Sequence, residues 1–186
     1  MGATANKLAA LRTGRVLKRG GLIAHHTDTL AGAAANPRST PSIKRLCRFK
    51  QRQGPFLLLA DSAKTAMQQA RFFSPALRKL IKHSWPGTVT IIMPAKPGLP
   101  KQCYAKGSMA IRVDASLQTR QLAKACGGLL LSSSLNRKGK RPETPDLKTC
   151  YKLHRHLNNR LPGQAGAGKA STILRVWRNN FTIIRP

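Results

Sequence analysis

The chain has 186 residues and carries 34 Lys and Arg against 5 Asp and Glu, a formal charge of +29 at neutral pH. That length allows one domain whose core hides roughly two-thirds of the unfolded surface, while two full domains would be cramped. The longest apolar runs, such as Leu57-Leu58-Leu59-Ala60, fall far short of the ~20 residues a bilayer crossing needs, so no membrane partner and a cytoplasmic location are expected.

Residues 5–19 read as a helix stopped by Gly20-Gly21. Leu22-Ile23-Ala24 opens a short buried strand, and 27–36 reads as a loop rich in Thr, Gly and Ala. Thr40 before Pro41 marks a helix start; that helix runs to about Phe49 and delivers Lys50 and Arg52 at its end. Phe56 to Ala60 is a strand, and Asp61 or Ser62 caps the next helix. Ser74-Pro75 starts a further helix ending near His83. Thr88 to Met93 and Met109 to Val113, both β-branched and apolar, are strands. Ser116 opens a helix that Gly127-Gly128 closes, Leu129-Leu130-Leu131 is a buried strand, and Thr144-Pro145 starts another helix. Ser171 to Trp177 and Phe181 to Arg185 flank Asn179-Asn180 as a hairpin. The sum is a single α/β domain over 1–186, a twisted sheet of mixed parallel and antiparallel strands with flanking helices.

The charge raises the local concentration of polyanions, and RNA is the first such partner to consider, through release of phosphate counterions. Aromatics seldom interleave with the cations, so stacking platforms for bases are not indicated. Cys47, Cys103, Cys126 and Cys150 lie far apart, without the paired spacing of a zinc site or a disulfide framework. His154-x-His156 reads as an exposed helix face. No P-loop, GxGxxG, nucleophile elbow or HExxH occurs, and no two carboxylates are spaced for glycoside chemistry.

Five short blocks remain. Lys50-x-Arg52 pairs a point charge with a planar fork, which suits a triphosphate; extended backbone there would put both on one side. A solvated helix end is the plainer explanation of these two alone. Ser132-Ser133-Ser134-Leu135-Asn136 follows a buried strand, where ligands collect in α/β sheets; alternation aims Ser132, Ser134 and Asn136 one way, although a turn would use the same residues. Thr27-Asp28-Thr29 offers hydroxyls and a carboxylate for an ammonium or a magnesium-bound water, or else a cap. Arg112 stands inside the apolar strand Met109 to Val113; buried there it requires an anionic partner from protein or ligand, and an exposed edge-strand face is the competing explanation. Ser171-Thr172-Ile173 is the last block.

In this order the blocks resemble the YrdC family, the threonylcarbamoyl-AMP synthases, in their short single-domain form, over about Lys7 to Arg185. The family's proline-threonine-acid-threonine motif is met by His26-Thr27-Asp28-Thr29, its K-x-R by Lys50 and Arg52, and its tryptophan-proline-glycine turn by Trp85-Pro86-Gly87. Its arginine strand is met by Ala110 to Val113, its S-T-S-A-N by Ser132 to Asn136, and its late serine-threonine-isoleucine by Ser171 to Ile173. The resemblance implies ATP-dependent joining of L-threonine and bicarbonate into threonylcarbamoyl-AMP with release of pyrophosphate. That is the first step of threonylcarbamoyladenosine modification of tRNA, and magnesium enters with ATP. It implies Lys50 and Arg52 on the triphosphate, and Ser134 and Asn136 on phosphate or the metal shell. Thr27 and Thr29 would line the threonine site, with Arg112 facing the carboxylate or carbamate, and Ser132, Ser171 and Thr172 would lie near the nucleotide. A tRNA-threonylcarbamoyl transfer complex is the implied downstream partner. His26 replaces the usual proline, Leu135 the alanine, Gln53 the proline after K-x-R, and Ala31 a common aromatic before Gly32. The alternative is an RNA-binding or ribosome-maturation protein on the same fold with weak or lost catalysis.

Overall fold

Among the described residues nine strands join one sheet in the order β7-β1-β2-β6-β3-β5-β4-β8-β9. They are β1 (Ile23–His25), β2 (Gly32–Ala35), β3 (Leu57–Ala60), β4 (Val89–Pro94), β5 (Ser108–Val113), β6 (Leu129–Ser134), β7 (Asn159–Leu161), β8 (Thr172–Trp177) and β9 (Asn180–Arg185). The helices are α1 (Gly2–Lys18), α2 (Thr40–Lys50), α3 (Ala63–Gln68), α4 (Pro75–Ser84), α5 (Leu117–Ala125) and α6 (Leu147–Lys152). This computed structural model describes residues 2–186, with side chains from Lys7 onward. Three parallel pairs (β1/β7, β3/β5, β4/β8) stand among five antiparallel ones, as expected for a mixed sheet. Among the described residues no helix is long and apolar enough to cross a membrane.

Strand alternation sorts the core into two layers. Leu58 and Leu131, paired across β3 and β6, join the larger cluster with Ile43, Leu46 and Phe49 of α2 and Leu77 and Ile81 of α4. Their neighbours Leu59 and Leu130 face the other way, under α1 and α5, with Ala10, Leu17, Leu122 and Ala123. The two covering helices meet at Gly14, where a Cβ would lie 2.7 Å from the Cβ of Ala125. Side-chain caps from Ser39, Ser62, Ser74, Ser116 and Asp146 each accept a backbone N–H three residues on, each worth about 1 kcal/mol.

The structure corrects several local expectations. Residues 32–35 are a strand, not loop: Gly-Ala-Ala-Ala has poor strand propensity, yet β1 and β6 pair with it on both edges and all three alanines are fully buried. Ser132 to Ser134 continue β6 instead of following it. Ser39, not Thr40, caps α2, and Asp146, not Thr144, caps α6. Gln51 is left-handed (φ 52°, ψ 37°), so the chain is not extended between Lys50 and Arg52. His154 and His156 lie beyond α6; His156 packs on the Phe49 ring at 5.8 Å and accepts a hydrogen bond from Arg137 at 2.6 Å. β7, three residues long, carries no signal in the sequence.

Candidate active site

A cavity of about 860 Å³ opens on the sheet, bordered by the 27–32 loop, Arg52 to Leu57, and parts of β4, β5, β6 and β8. Its lining holds five cations, Arg52, Lys106, Arg112, Arg175 and Arg185, and no carboxylate. Such a volume falls in the range of small-molecule sites, and the excess of cations suits a polyanionic ligand.

Lys50, at the last turn of α2, is buried, and its ammonium meets the end of β6. It donates to Asn136 Oδ1 at 2.7 Å, Asn136 O at 2.6 Å and Ser134 O at 2.9 Å, with Ser134 Oγ at 3.5 Å. Burial, helped by the charge of Arg52, pushes this amine down to about 8. Ser134 Oγ donates to Asn136 Oδ1 at 2.6 Å, and Asn136 Nδ2 donates to Lys140 O at 2.6 Å. The Ser134 hydroxyl proton is therefore spent, and toward the cavity that oxygen only accepts. Arg52 is exposed at the rim; it stacks on Phe56 at 4.6 Å and donates to Pro55 O at 2.8 Å. Burial of its inner part lowers its pKa from the ordinary arginine value.

Arg112 is 2 % exposed, and protein carboxylates answer its charge. Nη2 donates to Asp114 Oδ2 at 2.8 Å, Nη1 donates to Thr29 Oγ1 at 2.7 Å, and Asp28 Oδ1 stands 3.3 Å from Nη1. The two acids clasp the loops that carry them: Asp28 N donates to Asp114 Oδ1 and Ala115 N to Asp28 Oδ2. Burial raises the pKa of Asp114 against the pull of Arg112, and the neighbouring Asp28 adds to the rise. Residues 167 and 168 close over this loop, donating to Asp28 O and Thr29 O.

On the sheet floor Ser132 Oγ lies 3.2 Å from Nε2 of His25, a fully buried imidazole that burial pushes down to about 4. Both crowd Gly32: a Cβ there would sit 2.7 Å from the serine oxygen and 2.8 Å from the imidazole nitrogen. Across the cavity, Arg185 of β9 donates twice to Ser171 O, at 3.0 and 2.7 Å, and Ser171 Oγ shares a hydrogen bond with Thr90 Oγ1 at 2.9 Å.

Of the residues singled out in the sequence, Thr27, Thr29, Arg52, Arg112, Ser132, Ser134 and Ser171 line this one cavity. Lys50 and Asn136 stand behind its wall, joined through Ser134. Thr172 pairs with Val89 in the sheet and does not line it. Sequence reasoning missed Thr90, Lys106, Arg175, Trp177 and Arg185, which do. The signal for Arg185 was there: a lone cation ending an apolar strand, the same pattern that singled out Arg112.

Comparison with known proteins gives a consistent result. The Sua5/YciO/YrdC family model, described as "Telomere recombination", matches residues 15–186. A threonylcarbamoyl-AMP synthase of Halorhodospira halophila is 30% identical over 180 residues, covering 91% of this chain and 90% of that one. One from Thiobacillus denitrificans is 33% identical over 129 residues, 68% and 69% of the two chains. The P. abyssi Sua5 crystal structure complexed with L-threonine shares the fold: TM-score 0.87 at 21% identity, over 97% of this chain and 54% of that one.

Proposed function

This chain belongs to the Sua5/YciO/YrdC family, and on that premise we propose that it is a threonylcarbamoyl-AMP synthase. It joins L-threonine, bicarbonate and ATP and releases pyrophosphate, the first step of threonylcarbamoyladenosine formation on tRNA. The observation that carries this reading is the meeting of two remote blocks, Lys50 with Ser134 and Asn136, at the wall of a cavity rich in cations and free of carboxylates. The family's named relatives supply the reaction.

The threonine amine takes up bicarbonate as a carbamate with loss of water. A carbamate oxygen then attacks the α-phosphorus of ATP in line, and the bond to the bridging oxygen breaks as pyrophosphate leaves. No covalent enzyme intermediate is needed; charge stabilisation and positioning carry the step. Lys50 and Arg52 meet the triphosphate, with Lys50 giving up one of its carbonyl contacts to do so. Magnesium would enter as part of the ATP substrate; acceptor-only Ser134 suits its hard-oxygen shell, and the ion would supply charge neutralisation at the phosphates. Asn136 holds Ser134 and Lys50 in place, and Ser132 and Ser171 face the nucleotide. Thr27 and Thr29 line the amino-acid corner. Arg112, already answered by two carboxylates, acts behind Thr29 instead of gripping the substrate carboxylate.

The +29 charge supports affinity for tRNA, the substrate of the transfer complex that consumes the product, and a cytoplasmic place of work follows from that partner. Pyrophosphate release that requires ATP, threonine and bicarbonate together supports the synthase. ATP cleavage indifferent to the other two contradicts it. The RNA-binding alternative predicts tRNA affinity that falls steeply with salt and no such release.

A further inference from the structure

The hydrogen-bond polarity around Thr29 carries an inference that rests on the reading above. Thr27 has one hydroxyl proton and donates it to Leu30 O at 2.7 Å, since a carbonyl only accepts. In the 3.0 Å contact between the two hydroxyls, Thr29 is therefore the donor. Thr27 also accepts from the Thr29 amide at 3.1 Å, so both its lone pairs are filled. Thr29 accepts from Arg112 Nη1 at 2.7 Å, and a guanidinium only donates. One lone pair of Thr29 remains, on a residue that lines the cavity. This corner offers an acceptor and no hydroxyl donor.

Thr27 sets that polarity; Arg112, by presenting Nη1 to Thr29, fills one lone pair and fixes the direction of the other. Among the described residues, Asp114 is the only other side chain hydrogen-bonded to the guanidinium, at 2.8 Å; Nε has no partner, and Asp28 Oδ1, 3.3 Å from Nη1, makes no hydrogen bond. Asp114 is itself fixed, fully buried, by the amides of Asp28 at 3.1 Å and Ser116 at 3.0 Å. We propose that Asp114 is a positioning residue for the amino-acid substrate: through Arg112 it holds the Thr29 hydroxyl in place, its remaining lone pair ready for a hydrogen bond from the substrate's amino group or hydroxyl. Selection at this corner is then for donors, and a carboxylate gains nothing from Thr29.

The test is steady-state pyrophosphate release by the full chain carrying Asp114→Asn. The KM for threonine rises about tenfold, kcat stays within about twofold, and the KM for ATP does not move. An unchanged KM for threonine, or a loss confined to kcat, overturns the proposal. Arg112→Gln alone and Arg112→Gln with Asp114→Asn serve where the single Asp114 variant fails to fold, because the pair strands no buried guanidinium. The two then show the same raised KM for threonine; a further rise in the double variant means that Asp114 does not act through Arg112. A wild-type protein without threonine-dependent release overturns the synthase reading and this inference with it, whereas an active wild type with an indifferent Asp114→Asn overturns the inference alone.

Discussion

The ammonium of Lys50 lies 2.7 Å from the carboxamide oxygen of Asn136, across 86 residues of sequence. Helix α2 delivers the first and the residues just after β6 the second, so the cation we assign to the triphosphate is held behind the wall of the cavity and not hung from a loop. Lys50→Ala removes that charge and leaves Asn136 Oδ1, Asn136 O and Ser134 O short of a donor. Pyrophosphate release falls about 100-fold or more, checked by a coupled phosphate assay. A variant with wild-type turnover removes Lys50 from the chemistry.

The lysine also sets a pH limit. Burial lowers it to about 8 in the free protein, so the ammonium is present below that pH and lost above it. Since kcat/KM reports free-enzyme groups, kcat/KM for ATP falls as pH rises through about 8. In Lys50→Arg, whose guanidinium stays charged, that limb flattens. An alkaline fall equally steep in both proteins assigns it to another group.

Arg52 is exposed, so its loss touches binding more than folding. Arg52→Ala raises the KM for ATP about tenfold and costs about 1 kcal/mol or less of stability through the lost stack on Phe56. Paired kinetics and denaturant unfolding separate the two. Large destabilisation with an unchanged KM makes Arg52 structural.

Gly32 is required by crowding. Its added methyl would stand 2.7 Å from Ser132 Oγ and 2.8 Å from His25 Nε2, inside contact distance of two polar atoms on a packed floor. Gly32→Ala therefore costs about 1–3 kcal/mol and displaces Ser132 from the cavity, lowering turnover as well. Wild-type stability in that variant means the floor can yield.

Leu130 belongs to the opposite layer, fully buried under α1 and α5. Leu130→Ala costs about 2–5 kcal/mol with both KM values unchanged, measured by urea unfolding and kinetics on the folded fraction. A shift in KM would couple that layer to the site.

Most of the architecture was legible because serine caps, glycine stops and β-branched runs act locally. What was not legible is decided by tertiary pairing. Gly32 to Ala35 look like loop, yet they are the strand that β1 and β6 pair on either side, with all three alanines fully buried. The serines of 132–134 look like a turn, yet β2 pairs with all three and β3 with Ser132. For the site, Lys50, Ser134 and Asn136 were each ambiguous alone, and only their order in the chain joined them before the coordinates did. Arg112 announced its need for an anion; that Asp114, two residues on, would be the hydrogen-bonded partner was not weighed. Arg175 and Trp177 are exposed strand residues of ordinary appearance, and only the closure of β8 beside β4 brings them to the cavity.

Mass spectrometry of the nucleotide product made from ¹³C-bicarbonate, threonine and ATP tests the central claim most directly. The account predicts a threonylcarbamoyl adenylate about one mass unit heavier than with ordinary bicarbonate, abolished in Lys50→Ala with Arg52→Ala. ATP consumed with no labelled adenylate, or a labelled product undiminished in the double variant, would contradict it.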